Sequence, residues 1–487
     1  MADYDVIVIG AGNAALAASV SAREAGAERV VALEKATRGS RGGNTFFSGG
    51  LLRFAFSDVE ELLEIVPEAR DVAGFMDGVE PYPKEAFLAD FMRMTEGRTD
   101  PELADIVISN SFDVVRWLAN HGIKMELALS LSGVKVGNVI KWPKGAIVRA
   151  EHEGIGLSAG WFRIAEEHGV EIRYESGATK LLQDGGGRVE GVVVKTPDGL
   201  SEITGAAVVL ACGGFEANVA WRAQYLGRPW DHAKVRGTLH NQGDGLRMAL
   251  AIGALPYGQW SGCHATPINA EAPAYGERKM TDKTNRLSYP YGVMINKLGL
   301  RFVDEGEDSQ FYTYAKFGGI ILHQPDSIAY QIFDSKVTHL LEPRYSTTDP
   351  VTADTLEDLV AKLDVARPTA NETLRAYNAA AGHGDFDPGE LDGLCTEGIE
   401  PPKSNWAQRL DTPPFVAYGV TGGITFSFGG LKITDRAEVV GTDWKPIPGL
   451  YTCGEMVGGL FHTNYPGGTG LVSGAVFGRI AGASAAG

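Results

Sequence analysis

Cysteine is scarce in this chain. Four residues, Cys212, Cys263, Cys395 and Cys453, are spread over 487 positions with no CxxC or CxxCH spacing. That excludes a zinc ribbon, a c-type haem attachment and a cysteine-rich iron–sulfur motif, and no other motif assigns a metal. Isolated thiols fit a reducing compartment. Long apolar runs are also missing. No stretch reaches the roughly 18 residues a spanning helix needs. Met1 leads straight into an apolar strand and leaves no room for a signal peptide, so a cytoplasmic location is expected. Positive charge is short: 44 Lys and Arg face 61 Asp and Glu, for a net charge of −17. This argues against nucleic acid and anionic membrane surfaces as partners. It leaves an anionic small molecule open, because local charge inside a cleft governs that. Internal repeats and low-complexity tails are absent. With 44% apolar residues the chain can bury a large core and is expected to hold two or three domains.

What is present begins at residue 5. Asp5-Val-Ile-Val-Ile9 reads as a buried parallel strand, followed at once by Gly10-Ala11-Gly12-Asn13-Ala14-Ala15. A helix-length segment and a second strand at 29–33 follow, closed by Glu34. Gly10 permits a tight turn, Gly12 lets backbone approach a pyrophosphate, and Ala15 lets helix and strand pack closely. The helix start near Asn13 offers free N–H groups and a positive dipole end to phosphates. Glu34 stands where a carboxylate takes ribose hydroxyls. This is a dinucleotide site.

Two distant segments say which dinucleotide. Residues 207–214 and 449–455 are apolar strands that run into Gly213-Gly214 and Gly454-Glu455. Tyr465-Pro-Gly-Gly-Thr-Gly-Leu471 then opens a helix of small residues. A nicotinamide enzyme has no use for a second cofactor-facing strand and a glycine-rich helix start at the far end of the chain. FAD does, because its pyrophosphate and its isoalloxazine lie far apart, and a helix N-terminus stabilises negative charge on reduced flavin.

The motifs, in order, resemble those of the flavoprotein family of fumarate reductases and succinate dehydrogenases, which includes tricarballylate dehydrogenases and 3-ketosteroid dehydrogenases. The resemblance rests on the N-terminal GxGxxA, Arg41-Gly-Gly-Asn-Thr45, Asn241-Gln-Gly-Asp-Gly245, Gly299–Glu305 (GLRFVDE) and the C-terminal GE…GGTG. Thr45–Phe54, Phe311–Gly318 and Gly459–Gly470 most resemble the tricarballylate-dehydrogenase-like members. The resemblance implies an α/β fold: a Rossmann-like FAD-binding domain, residues 1–262 and 427–487, split by an inserted α+β substrate cap over 263–426. It implies that Gly10, Gly12, Asn13 and Ala14 meet the pyrophosphate and Glu34 the ribose. Gly42, Gly43, Asn44, Thr45 and Gly50 would run along the flavin and diphosphate, with Ala178 at adenine and Asp244 beside the ribityl–pyrophosphate region. Glu455 would bind a ribityl or ribose hydroxyl, and Gly470 and Leu471 the pyrimidine edge. Residues 35–56 contain no histidine, so the FAD is expected to be non-covalent. Helices are expected over 90–125, 155–168 and 354–382, and strands within 170–210.

The departures from the family pattern bear on substrate. Where fumarate reductases carry a histidine pair, this chain has Gly423-Ile-Thr-Phe426-Ser-Phe428-Gly-Gly430. Their arginine in an Asn-Arg-Leu-Gly-Gly segment is replaced by Tyr465, and Phe333-Asp334 precedes Ser-Lys-Val-Thr338 without their cap arginine. Fumarate reduction is therefore expected to be slow. Candidates for chemistry are His264, which matches a substrate-facing family histidine, Tyr312 and Tyr314, which follow GLRFVDE, and Tyr465. Arg53 is a candidate carboxylate clamp, His462 a substrate neighbour, and Phe426 and Phe428 an apolar wall.

The implied reaction is α,β-dehydrogenation or its reverse. A base takes a proton α to a carboxyl or carbonyl while the β-hydrogen leaves as hydride to flavin N5. A tyrosine base suits a ketone better than a carboxylate, whose α-proton is less acidic. Three readings follow: a tricarballylate-dehydrogenase-like enzyme acting beside a carboxyl or carbonyl, a cyclic-ketone or ketosteroid-type desaturase, and a non-catalytic FAD electron carrier. The electron donor or acceptor is open and includes a redox partner protein.

Overall fold

The structure is a computed structural model that describes residues 2–487. Its organising element is an eight-stranded sheet with a parallel centre. Tyr4–Ile9 pairs in parallel with Val30–Leu33 on one side and with Gly199–Leu210 on the other. Pro446–Thr452 continues the parallel run beside Gly199–Leu210. The register puts Ile9 opposite both Leu33 and Leu210, and Leu210 opposite Thr452. Four strands thus end level, and the residues that follow them share one edge: Gly10, Glu34, Ala211 to Gly213, and Cys453-Gly454. Carboxyl ends of parallel strands are where ligands bind in such sheets. Register is what brings motifs more than 400 residues apart together.

The first helix, Asn13–Glu24, and the last, Thr469–Ala486, pack against each other. Small residues allow this. A Cβ on Gly478 would stand 2.5 Å from the Ala14 carbonyl oxygen, and one on Gly482 2.1 Å from that of Ala18. The expected 90–125 helix is two: Lys84–Met94 and Pro101–Asn120. Gly97 adopts φ +71°, and Asp100 caps the second helix by accepting from the Glu102 and Leu103 amides. The 354–382 segment is likewise Leu356–Lys362 and Arg367–Ala380, separated by a stretch before Pro368.

A second, six-stranded sheet is built around the antiparallel pair Pro256–Asn269 and Phe415–Leu431. The positions expected as domain boundaries, 262/263 and 426/427, fall inside these two long strands, which pair there as Cys263↔Ser427 and His264↔Phe426. The helix Gln310–Leu322 lies on this sheet, with Gly318 so close to Ala265 that a Cβ would meet its carbonyl carbon at 2.5 Å. That approach carries Tyr314 toward His264.

Candidate active site

One cleft, enclosing about 1960 Å³ of which part is open to solvent, runs from Glu34 and Ala178 along the Gly10–Ala14 turn to Glu455, Gly470 and Leu471. It continues into a chamber lined by Arg236, His264, Asp282, Tyr314, Arg344, Phe426 and Tyr465.

The glycines of the first turn do two different jobs. Gly10 has φ +111°, and a Cβ would lie 2.4 Å from the Ala211 carbonyl oxygen, so the protein itself requires it. Gly12 has an ordinary extended backbone, φ −85°, and a Cβ there meets nothing nearer than the Thr45 hydroxyl at 3.5 Å. Gly43 has equally open space, its nearest neighbour Gly12 at 4.0 Å, although its φ of +53° also favours glycine. These two face a cradle that the protein leaves free, next to helix-start N–H groups that have no intrahelical partner. This fits a diphosphate. Gly42 and Gly50 resemble Gly10: both have positive φ and lie against Ser158 and Glu153. Glu34 is buried and held by the Ala36 amide at 2.7 Å, and burial raises its pKa.

Some expected cofactor contacts are committed to the protein. Asn13 receives Trp161 Nε1 on Oδ1 at 2.8 Å and donates Nδ2 to the Leu471 carbonyl at 2.8 Å, while its amide donates to Thr45 Oγ1. It ties the two helix starts together. Asn44 donates to Glu216 Oε1 and the Thr425 carbonyl and accepts from the Thr238 amide. Asp244 lines the cleft but pairs with Lys35 at 2.6 Å. Glu455 accepts from the Ser427 amide and hydroxyl. Burial raises the pKa of both Glu455 and its neighbour Glu216, and the Glu455 charge raises Glu216 further. Burial beside a second carboxyl favours the protonated form of Glu216, whose Oε2 has no hydrogen-bond partner among the described residues.

The chamber brings four of the expected residues together, His264, Tyr314, Phe426 and Tyr465, and leaves three out. The Tyr314 and Tyr465 hydroxyls bond to each other. The His264 ring stands 4.9 Å from each tyrosine ring and 5.0 Å from Phe426. Both His264 ring nitrogens are buried without a hydrogen-bond partner among the described residues. Burial, with a minor contribution from Arg236, pushes its pKa well below the usual histidine value, so the imidazole is neutral. Burial raises Tyr314 well above an ordinary phenol and raises Tyr465 as well. Both are protonated at neutral pH.

Tyr312, in contrast, turns its hydroxyl to Asp90 at 2.8 Å and to Arg53 at 3.3 Å, away from the chamber. Tyr312 is two residues from Tyr314 along the helix, and two steps of about 100° each put the side chains on opposite faces. Arg53 is wholly buried and donates to the Gly467 carbonyl, to Tyr82 and to the Lys144 carbonyl. It braces the loop that carries Tyr465 and does not line the cleft. His462 meets Arg98 at 3.2 Å and the neighbouring Thr463, also outside the lining.

Cationic groups do enter the chamber, on residues that no motif flagged. Arg236 and Arg344 both pair with Asp282, which lies between them, and Arg344 also pairs with Glu342 at 2.7 Å. Arg236 donates Nε to Thr425 Oγ1 at 3.1 Å. Arg236 precedes an unremarkable Gly-Thr, and Arg344 lies in a short turn far from any glycine motif. Only the folded sheet shows that they converge.

The FAD binding domain family matches residues 5–472, and the chain belongs to that family. It is an FAD-dependent oxidoreductase. It is 28% identical to a fumarate reductase (cytochrome) of Shewanella frigidimarina over 495 residues, covering 99% of this chain and 77% of that protein. It is also 28% identical to a urocanate reductase of Eggerthella lenta, covering 99% and 75%. The fold resembles a 3-ketosteroid Δ4-(5α)-dehydrogenase from Rhodococcus jostii, with a TM-score of 0.74, 23% identity, and coverage of 100% and 98%. Among the described residues no helix is long and apolar enough to cross a membrane.

Proposed function

We propose that the protein interconverts a C–C single bond and a C=C double bond next to a carboxyl or carbonyl group, on a substrate with one such group and a flat apolar body. The observation that carries this is the chamber itself: a bonded pair of neutral phenols beside a neutral histidine and Phe426, facing two arginines. Bound FAD supplies the hydride acceptor or donor, held non-covalently along the cleft. Arg236 and Arg344 attract the carboxylate end, in competition with Asp282. His264, Phe426 and the tyrosine rings exclude water and stack on the rest of the substrate. In the reductive direction a Tyr314 or Tyr465 hydroxyl donates the proton to the α-carbon. In the oxidative direction that hydroxyl first gives up its proton to solvent, and the resulting phenolate, stabilised by the partner hydroxyl and the Arg236 charge, receives the α-proton.

Two named relatives support the class. Fumarate and urocanate are both acids with a double bond conjugated to a carboxyl, and urocanate has one carboxyl and one flat ring. A tricarballylate-like substrate carries three carboxyls and needs more cations than the two guanidinium groups that line the chamber. A cyclic enone is the second reading, favoured by phenols that can hydrogen-bond a carbonyl oxygen. The test is anaerobic mixing of the reduced protein with 3-aryl acrylates, a cyclic enone and fumarate. Rapid return of flavin absorbance with an aryl acrylate or enone supports the proposal. Return with fumarate alone overturns the substrate reading, and no return with any overturns the reaction.

A further inference from the structure

Three helices end at one place on the surface. Asn13–Glu24 finishes at Glu24, Pro101–Asn120 is capped by His121, and Glu153–Glu167 is capped by His168. One ligand atom from each of Glu24, His121 and His168 lies within 4.8 Å of the other two. The two imidazole rings are 5.3 Å apart.

The hydrogen bonds around these rings fix their tautomers. His121 Nδ1 is 2.8 Å from the Trp117 carbonyl oxygen, and His168 Nδ1 is 2.8 Å from that of Ile164. A carbonyl only accepts, so each Nδ1 carries the hydrogen and donates it. A neutral imidazole then presents a lone pair at Nε2. His121 Nε2 faces Glu24 Oε1 at 2.8 Å, a contact that takes either a proton on Nε2, giving an imidazolium–carboxylate pair, or a metal cation shared by the two atoms. His168 Nε2 has no hydrogen-bond partner among the described residues, and the Nδ1 bond leaves it as the nitrogen free to ligate. Glu24 is oriented from behind by Trp117 Nε1, 3.2 and 3.3 Å from its two oxygens. Backbone-oriented histidines and a carboxylate held by a donor are the supporting contacts that metal ligands require. Three helix C-termini add negative potential. The neighbouring guanidinium groups are occupied: Arg163 by the His121 and Gly122 carbonyls and Glu167, Arg23 by the carbonyls of His168 and Ala27.

We infer that Glu24, His121 and His168 form a divalent-metal site, matched to Zn²⁺, which clamps the ends of these three helices. Two imidazole nitrogens and one carboxylate oxygen suit Zn²⁺ at about 2.0–2.2 Å, with water in the fourth position. Closing the ligand atoms from 4.8 Å onto one ion takes only side-chain adjustment at partly exposed groups. The ligands are 24, 121 and 168 in sequence, with no short spacing to announce them. The site is remote from the chamber, but it bears on the cofactor end of the fold. Trp117 packs on Trp161, ring centroids 5.5 Å apart, and Trp161 donates to Asn13 at the first turn.

The test uses the FAD-loaded protein, stripped of metal with a chelator and titrated with ZnCl₂ in a calorimeter, with thermal unfolding measured in parallel. The wild type is expected to bind one equivalent saturably and to unfold at a temperature that rises with Zn²⁺ concentration. His168→Gln removes the one ligand that bonds neither of the others. It is expected to weaken binding by at least about tenfold and to abolish the rise in unfolding temperature, while its metal-free unfolding temperature and FAD content match the wild type. Glu24→Gln should weaken Zn²⁺ binding by a similar factor. Absence of saturable binding in the wild type overturns the inference, and so does binding that His168→Gln and Glu24→Gln leave unchanged.

Discussion

Replacing Tyr314 by phenylalanine removes one hydroxyl from a bonded pair and leaves the ring that packs on His264 and Tyr465. Two costs follow, and they differ in size. The Tyr465 hydroxyl, on a residue only 5% exposed, loses its partner, which costs about 1–3 kcal/mol of stability. Loss of a proton-transferring group slows turnover by about 10²–10⁴-fold, or about 3–5 kcal/mol in the barrier. The rate effect therefore exceeds the folding effect, and a folded, FAD-loaded variant with little turnover is expected. Tyr465→Phe should lose a similar factor, because the two hydroxyls act as one unit. In the double variant no hydroxyl is left unpaired, so its stability loss should be smaller than the sum of the single losses. The assay is single-turnover stopped flow on the reduced protein, with thermal unfolding alongside. Wild-type rates in both single variants would refute the proton role and return attention to His264. Tyr312→Phe serves as the control: its hydroxyl bonds Asp90 and Arg53, so stability should fall while the chemical step is kept.

Gly12→Val should fold yet lose FAD, since its backbone is ordinary and only a ligand fills the space its side chain would enter; FAD content after purification, with circular dichroism for the fold, decides this. Asp282→Asn frees Arg236 and Arg344 for a carboxylate and should lower KM for carboxylate substrates more than for neutral enones, read from steady-state kinetics with both. Glu216→Gln mimics the protonated acid. The pair's folded pKa values are raised above the unfolded carboxylate value of about 4.3, so its stabilisation is complete below that pH and is lost as pH rises through the folded values. The variant should gain stability relative to wild type as pH increases from acid to alkaline, measured by denaturant unfolding across pH.

Much of the fold was legible because it is local. Strand, glycine turn, helix and Glu34 lie within one continuous segment, and the apolar runs at 207–210 and 449–452 announce further strands. The cleft that these ends share follows from parallel register, which a sequence implies only through its motifs. The chamber was half legible. His264, Tyr314, Phe426 and Tyr465 sit in or beside recognisable segments, whereas Tyr312 and Tyr314 could not be told apart without the helix phase. Arg53 reads as a clamp because it follows the Ser48-Gly49-Gly50 segment expected beside the flavin; complete burial under Tyr82 and Tyr312 makes it a brace. Arg236, Asp282 and Arg344 escaped notice because nothing local marks them. The absence of the family's charged groups at Thr425 and Tyr465 thus described part of the chamber, and charge from other elements enters it.

The central claim is that the Tyr314–Tyr465 pair passes a proton to or from carbon while bound FAD handles the hydride, on a substrate anchored at one end by Arg236 and Arg344. The most direct measurement is the anaerobic single-turnover rate at which an aryl acrylate or cyclic enone restores flavin absorbance in the reduced protein, compared in wild type, Tyr314→Phe and Tyr465→Phe at saturating substrate. The account predicts rapid oxidation in wild type and a loss of about 10²-fold or more in each variant. Equal rates in all three proteins would contradict it.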